Sequence, residues 1–386
     1  MKTNNTPLPI KDISELKTPC HIIDLDRLMD NLEKINLLKK SSGCKVLLAV
    51  KGFSSPHFFA YMQSYIDGIS ASGLYEAKMG KESFGGFVQT YSPGFQSRNM
   101  AEIVKNSNAV VFNSAKQLEA FRDQAVDSGC TCGIRINPLH SEVKKEDANP
   151  CREYSRLGIP YPDITIELLQ KVEGIHLHTM CEQFPDALEE VATFLIDVLG
   201  DQIDRAGSIK WINLGGGQLI GHKDYDVQRA SASIHRIKDR FHTEVILEPC
   251  EGIVTETGFF ATSVCDIVKN KRYTAVLDAS PICHLPDAVF RDWRHDIYGE
   301  LPRGEDGYLY FLSGPTCFAG DTFGEYAFSK PLQIGDILFF KDTAAYSWVK
   351  NSTFNGVPFP DMYAFDHEHG LRHVKTYDYD SFVKSL

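Results

Sequence analysis

The sequence predicts an α/β protein: a (β/α)8 barrel of the TIM type followed by a mostly antiparallel C-terminal β domain. Two observations predict it. Eight short apolar runs recur between residues 45 and 250, with amphipathic stretches among them, and that alternation gives a parallel sheet covered by helices. After about residue 256 the helical period fades, and β-type segments separated by turns take over. Eight strand–helix units fit a closed barrel better than an open doubly wound sheet, which periodicity alone leaves open.

The elements follow in order. "TPCHIIDLDRLMDNL" gives a short strand and a helix, expected to join the β domain in space. The eight barrel strands are expected at "KVLLAVK" (45–51), "GISAS" (68–72), "QTYSPG" (89–94), "AVVFN" (109–113), "CGIRIN" (132–137), "GIHLHT" (174–179), "WINLGGG" (211–217) and "EVILEPC" (244–250). "SAKQLEAFRDQAVDSG" has helical periodicity through Leu118, Phe121 and Ala125, with Ser114 as its N-cap. "DALEEVATFLIDVLGDQ" carries a stripe of Leu188, Val191, Phe194, Leu195 and Val198. Later segments such as "DGYLYFLSGPTCFAGD" and "DILFFKDTAAYSWV" read as strands with turns between them. The expected domains are a barrel over 35–256 and a β domain made of 1–34 and 257–386.

A chain of 386 residues, 43% of them hydrophobic, can bury a large core and more than one small domain needs. Its formal net charge of −11 favours neither nucleic acid nor an anionic membrane, and would more readily attract a cationic small molecule. No run approaches the roughly 20 apolar residues of a membrane span, and "MKTNNTPLPIKDISELKTP" lacks the apolar core of a secretory signal. The ten cysteines are scattered. Cys130 and Cys132 are separated by a single residue, without a matching His/Cys cluster, so no metal site is expected. Reduced thiols in the cytoplasm are the simplest account.

In such a barrel, chemistry sits at the C-terminal ends of the strands. Lys51 stands there, as do His178, the triplet Gly215, Gly216 and Gly217, and Glu248. Each alone has a plain structural account: a snorkelling lysine, a hydrogen-bonded core histidine, a turn, a structural carboxylate. Together they are less easily dismissed. A glycine triplet leaves backbone N–H groups open to a phosphate, and a lysine beside it could bond covalently to an aldehyde. A carboxylate could pair with a protonated pyridine nitrogen, and a flat imidazole could cover one ring face. Those parts describe a pocket for pyridoxal 5′-phosphate.

With these residues in place, the sequence resembles the fold-type III pyridoxal-phosphate decarboxylases, the alanine racemase-like group that acts on ornithine, arginine and diaminopimelate. "LLAVKGF" resembles the family's lysine motif, which makes Lys51 the implied covalent anchor of the cofactor. "HLHTMCE" implies His178 as the ring-stacking histidine, "NLGGGQ" the phosphate loop, and "LEPCEG" Glu248 as the partner of the pyridine nitrogen. "SGPTCFAGD" resembles the segment by which one subunit completes the other's site, implying a homodimer and a catalytic Cys317. "AAYSWVKNSTFNG" implies Tyr346 at the phosphate.

Within that group the ornithine- and diaminopimelate-type enzymes carry an arginine after the glutamate motif, where this chain has Glu251. This departure, with "LDASPICHLPD" and "GPTCFAGD", resembles the carboxynorspermidine/carboxyspermidine decarboxylases of bacterial polyamine synthesis. An added carboxylate suits a substrate with extra ammonium groups. The resemblance also suggests Asp287, His284 and Asp321 as substrate contacts, although all could be turn residues. Two alternatives stand beside this one: a diaminopimelate or other diamino-acid decarboxylase on the same fold, and a non-catalytic regulatory relative.

Overall fold

The computed structural model describes residues 8–291 and 293–386. Residues Asp30–Ile253 form one compact unit; the described residues up to Met29 form the other together with Val254–Leu386.

Chain order gives strand β1 (Cys20–Asp24), then β2 (Lys45–Ala49), β3 (Gly68–Ala71), β4 (Phe87–Ser92), β5 (Ala109–Phe112), β6 (Thr131–Asn137), the two-residue β7 (Ile159–Pro160), β8 (Gly174–His176), β9 (Trp211–Asn213) and β10 (Glu244–Leu247). Eight of these, β2 to β6 and β8 to β10, pair in parallel; β10 returns to β2 and β5 joins β6, so the sheet closes on itself. Each of the eight expected runs holds one barrel strand, and several strands stop two to four residues before the run ends. The ladder breaks there because the chain turns out of the barrel, and the residues past the break are the ones free to face a ligand.

The barrel interior is layered by strand parity, since side chains two apart share a face. Leu47, Ala109, Val111, Trp211 and Ile246 form an apolar plug. The Trp211 indole is accommodated by glycine on the neighbouring strands: a Cβ at Gly174 would come within 2.0 Å of the ring. Two residues further along the same strands stand polar side chains, Arg135 on β6, His176 on β8 and Asn213 on β9, all buried.

Outside the barrel, helix Ala115–Asp127 starts at Ser114, whose hydroxyl accepts the Gln117 N–H at 3.2 Å. The stretch read as one helix around Leu188 is two, Pro185–Asp197 and Gly200–Ala206. Leu188, Val191 and Leu195 are buried, but Val198 lies past the first helix and is 47% exposed. Gly200 stands in the run after it and opens the second helix.

The second unit is an eight-stranded, mostly antiparallel sheet. It comprises β11 (Gly258–Asn270), β12 (Arg272–Leu277), β13 (Tyr308–Ser313), β14 (Thr322–Phe328), β15 (Ile337–Lys341), β16 (Asp361–Asp366) and β17 (Gly370–Lys375), joined by β1. β1 lies between β11 and β16. An irregularity between Val264 and Asp266 lets β11 pair with β1 and β15 in its first half and with β12 in its second. Phe260, Val264, Leu312, Tyr326 and Phe340 lie in the core beneath that bend. No helix among the described residues is long and apolar enough to cross a membrane.

Candidate active site

Lys51 follows β2 by two residues, in a turn pinned on both sides. Val50 N–H donates to the Ser70 carbonyl, and Ala49 N–H to that of Pro249, each at 3.2 Å. The lysine keeps exposed surface, yet burial lowers its ammonium pKa ahead of the opposing attraction of Glu248. Both hold for a group on the floor of a concave mouth, which water reaches without solvating it fully. A lysine so placed releases its proton more readily than one in water and is the better nucleophile.

Glu248, just past β10, is 7% exposed. Its Oε1 accepts the Asn213 side-chain N–H at 2.7 Å, and His176 Nε2 stands 3.5 Å from Oε2. Burial pushes the carboxyl's pKa up, but His176, Asn213 and Ser70 together outweigh it and the net direction is down. Burial likewise lowers the His176 imidazole, against the pull of Glu248. Lowered below the usual carboxylate range, Glu248 is ionised at neutral pH.

The glycine triplet is wedged between these groups. Gly215 (φ +69°) and Gly217 (φ +91°) occupy backbone conformations that side chains disfavour. A Cβ at Gly216 would sit 2.2 Å from the Glu248 carbonyl oxygen. The expectation that all three N–H groups are open to a phosphate needs correcting for two of them. Gly215 N–H donates to Asn213 Oδ1 at 2.8 Å and Gly216 N–H to His178 Nδ1 at 2.9 Å. The loop's first two amides hold its shape.

His178 is partly buried, and its pKa is pushed well down by burial and then by Lys51 and Arg135. It accepts at Nδ1, so its proton is on Nε2. The His176 ring lies nearly parallel to it, with centroids 6.4 Å apart. Arg135 donates to the His178 carbonyl at 3.2 Å and covers the Tyr91 ring at 4.8 Å. Gln89 accepts from Asn213 through its carbonyl, while its Nε2 and both ring nitrogens of His176 lack a hydrogen-bond partner. Sequence reading passed over Gln89, Arg135, His176 and Asn213. Parity could have found them: His176 and Asn213 lie two residues before His178 and Gly215, on the same inward face. Glu251 opens a four-residue helix after the Glu248 turn.

The structure thus brings Lys51, His178, the glycines and Glu248 together at one barrel mouth. Cys317, Tyr346, His284, Asp287 and Asp321 belong to the sheet unit. Cys317 is exposed, and its N–H donates to Asn355 Oδ1 at 2.8 Å. Tyr346 holds φ +56°, an uncommon conformation for a bulky residue. The Lys350 ammonium lies 4.8 Å from the Tyr346 ring centre and donates to Asp287 Oδ1 at 2.5 Å. Asp321 is buried, accepting from the hydroxyls of Ser280 and Thr316 at 2.6 and 2.7 Å. His284 is buried too: its Nδ1 accepts the Ser280 N–H, and its Nε2 donates to the Pro358 carbonyl at 3.1 Å. Internal partners therefore occupy the atoms with which Asp321 and His284 were expected to meet a substrate, and a structural role accounts for both.

An anchoring amine, an ionised carboxylate and a glycine turn at the mouth of a closed barrel, with a β-sheet unit in the same chain, define a pyridoxal-phosphate enzyme of the barrel-plus-sheet type. The comparison with known families agrees. The model described as pyridoxal-dependent decarboxylase, C-terminal sheet domain, matches residues 23–344. The chain belongs to this family: it is a decarboxylase, and its cofactor is pyridoxal 5′-phosphate. It is similar to the carboxynorspermidine/carboxyspermidine decarboxylase of Campylobacter jejuni, 36% identical over 95% of this chain and 98% of the relative. It is also similar to the carboxyaminopropylagmatine decarboxylase of Synechocystis, 33% identical over 97% and 96% of the two chains. The crystal structure of carboxynorspermidine decarboxylase complexed with norspermidine, from Campylobacter jejuni, superposes with a TM-score of 0.86 at 34% identity, covering 96% of this chain and all of that one. The residues present fit the cofactor. An ionised, buried carboxylate could pair with a protonated pyridine nitrogen, and buried nitrogens of His176 and Gln89 without hydrogen bonds stand beside it.

Proposed function

We propose that this chain removes the α-carboxyl group of carboxynorspermidine or carboxyspermidine, releasing norspermidine or spermidine in polyamine biosynthesis. One observation carries the reading: 36% identity, sustained over nearly the whole of both chains, to an enzyme named for that pair of substrates. Bound pyridoxal phosphate supplies the sink for the electron pair left behind as carbon dioxide departs. Lys51 Nζ would hold the cofactor covalently through its aldehyde. Glu248 keeps a proton on the pyridine nitrogen, and His178 covers one face of the ring. Gly217 and the residues after it receive the phosphate, the loop's first two amides being spent on its shape; Tyr346 touches the same group. Cys317 Sγ delivers a proton to the α-carbon. Glu251 and Asp287 meet the substrate's distal ammonium groups, Asp287 by exchanging Lys350 for the substrate.

The resemblance of the Cys317 and Tyr346 segments supports a homodimer in which each sheet unit completes the partner subunit's site. All ten cysteines are free thiols, which supports a reducing, cytoplasmic setting.

Steady-state rates on carboxynorspermidine, carboxyspermidine, carboxyaminopropylagmatine, diaminopimelate and ornithine test the reading. The expected result is a kcat/KM for at least one of the first two that exceeds each of the last three by about a hundredfold or more, as a site built for a particular polar pattern gives. Faster turnover of diaminopimelate or carboxyaminopropylagmatine overturns it.

A further inference from the structure

The hydrogen bonds of Asn213 converge on both halves of the cofactor pocket. The residue ends β9 and is fully buried. Its Oδ1 accepts the Gly215 N–H at 2.8 Å, fixing the glycine turn in its left-handed conformation. Its Nδ2 carries two protons. One goes to Glu248 Oε1 at 2.7 Å and the other to the Gln89 carbonyl oxygen. Gln89 is buried and stands on β4, a different strand of the barrel. The backbone repeats the link, since Glu248 N–H donates to the Gly215 carbonyl at 2.8 Å. With Gly216 wedged against the Glu248 carbonyl, neither the turn nor the carboxylate can shift without the other.

We infer that Asn213 is a positioning residue that locks the glycine turn to Glu248, setting phosphate recognition through Oδ1 and the ionisation of the carboxylate through Nδ2. The inference rests on the cofactor roles proposed for Glu248 and the glycine loop. An amide is the side chain that can do both, because it offers an acceptor and two donors from one rigid plane. A carboxylate at this position keeps the acceptor for Gly215 N–H but points a second acceptor at Glu248. Two carboxyl groups at hydrogen-bond distance cannot both ionise easily. An apolar side chain of similar size loses both functions.

The two functions are therefore separable by Asn213→Asp and Asn213→Leu. Two readouts tell them apart. The ratio of pyridoxal phosphate to pyridoxal affinity, measured on apoprotein by fluorescence, reports the phosphate half alone. The pH dependence of the bound cofactor's absorbance reports the carboxylate half. For Asn213→Asp the affinity ratio is expected within about threefold of the parent, with the acid transition of the spectrum moved up by about one pH unit or more, the size of a like-charge effect. For Asn213→Leu the ratio is expected to fall at least about tenfold, the loss of one hydrogen bond to a loop amide. A parent protein that prefers the phosphorylated cofactor, with both variants keeping that preference and the same acid transition, overturns the inference alone. A parent without that preference overturns the phosphate-loop reading and the Oδ1 half of the inference with it. A fall in the ratio for Asn213→Asp as large as for Asn213→Leu also overturns it, because Asp retains the acceptor.

Discussion

Two buried carboxylates, one in each unit, differ in how fully the polar groups around them are hydrogen-bonded. Asp321 in the sheet unit accepts from two hydroxyls and a backbone N–H, and the nearby His284 has a partner on each ring nitrogen. Glu248 in the barrel has a strong donor in Asn213, but its histidine neighbour is 3.5 Å away with both ring nitrogens lacking hydrogen bonds. A buried polar group without a partner costs about 1 to 3 kcal/mol. A fold tolerates that cost where a ligand supplies what is missing. The network of Asp321 is complete within the protein, whereas His176 and Gln89 keep buried nitrogens open beside the carboxylate proposed to meet the cofactor.

The largest expected effect breaks the open network at its charged member. Glu248→Gln leaves the shape almost unchanged and removes the charge proposed to protect the pyridine proton. Turnover is expected to fall by about a hundred- to a thousandfold, the loss seen when one preorganised electrostatic contact is removed, while the melting temperature changes by a few degrees at most. Asp321→Ala should do the reverse. It strands the hydroxyls of Ser280 and Thr316, and unfolding by urea is expected to show about 2 to 4 kcal/mol lost. A thousandfold rate loss in Asp321→Ala with unchanged stability would erase the distinction between the two carboxylates and restore Asp321 to the substrate.

Much of this contrast is legible in the sequence, and the part that is not has a physical reason. Barrel strands announce themselves because they are apolar on both faces, so "AVVF" and "EVIL" could be placed from composition alone. Lys51 and Glu248 stood out as charges at the ends of such runs. Asn213 and His176 did not, because a polar residue inside a short strand could face either way until neighbouring strands fix the parity. Asp321 and His284 misled for a related reason. Nothing local in "CHLPD" or "FAGD" says that the partners will be Ser280, Thr316 and Pro358, the last of them 74 residues from His284.

Acid sensitivity sharpens the comparison further. Burial lowers the His284 pKa to about 4, with the Pro358 carbonyl and Asp321 only partly opposing it. In the unfolded chain the imidazole returns to about 6.5. Below that value the unfolded state takes up a proton that the native state refuses, so stability falls as pH drops from about 6.5 to about 4 and is unaffected above that window. The contribution is about 3 kcal/mol. His21, lowered to about 3, and His295, lowered to about 4, act in the same direction. Denaturant titrations of His284→Gln at pH 7 and pH 4.5 should therefore differ by roughly 2 to 3 kcal/mol less than those of the parent. An undiminished difference would show that the acid lability of the sheet unit lies elsewhere.

The smallest effect comes from a residue remote from both networks. Ser114 caps helix Ala115–Asp127 on the outside of the barrel through one hydrogen bond, from Gln117 N–H at 3.2 Å. Its replacement by alanine is expected to cost about 1 kcal/mol, the ordinary loss of an N-cap. Because the strands inside the helix ring are held by their own ladder, that loss should leave cofactor affinity and kcat/KM within about a factor of two, near the additivity limit for sites far apart. A fall in cofactor affinity as large as that of Asn213→Leu would mean that the barrel mouth yields to any destabilisation of its shell. The special standing of the polar interior layer would then be lost, since rigidity in the Asn213 network is what separates the site from the rest of the barrel.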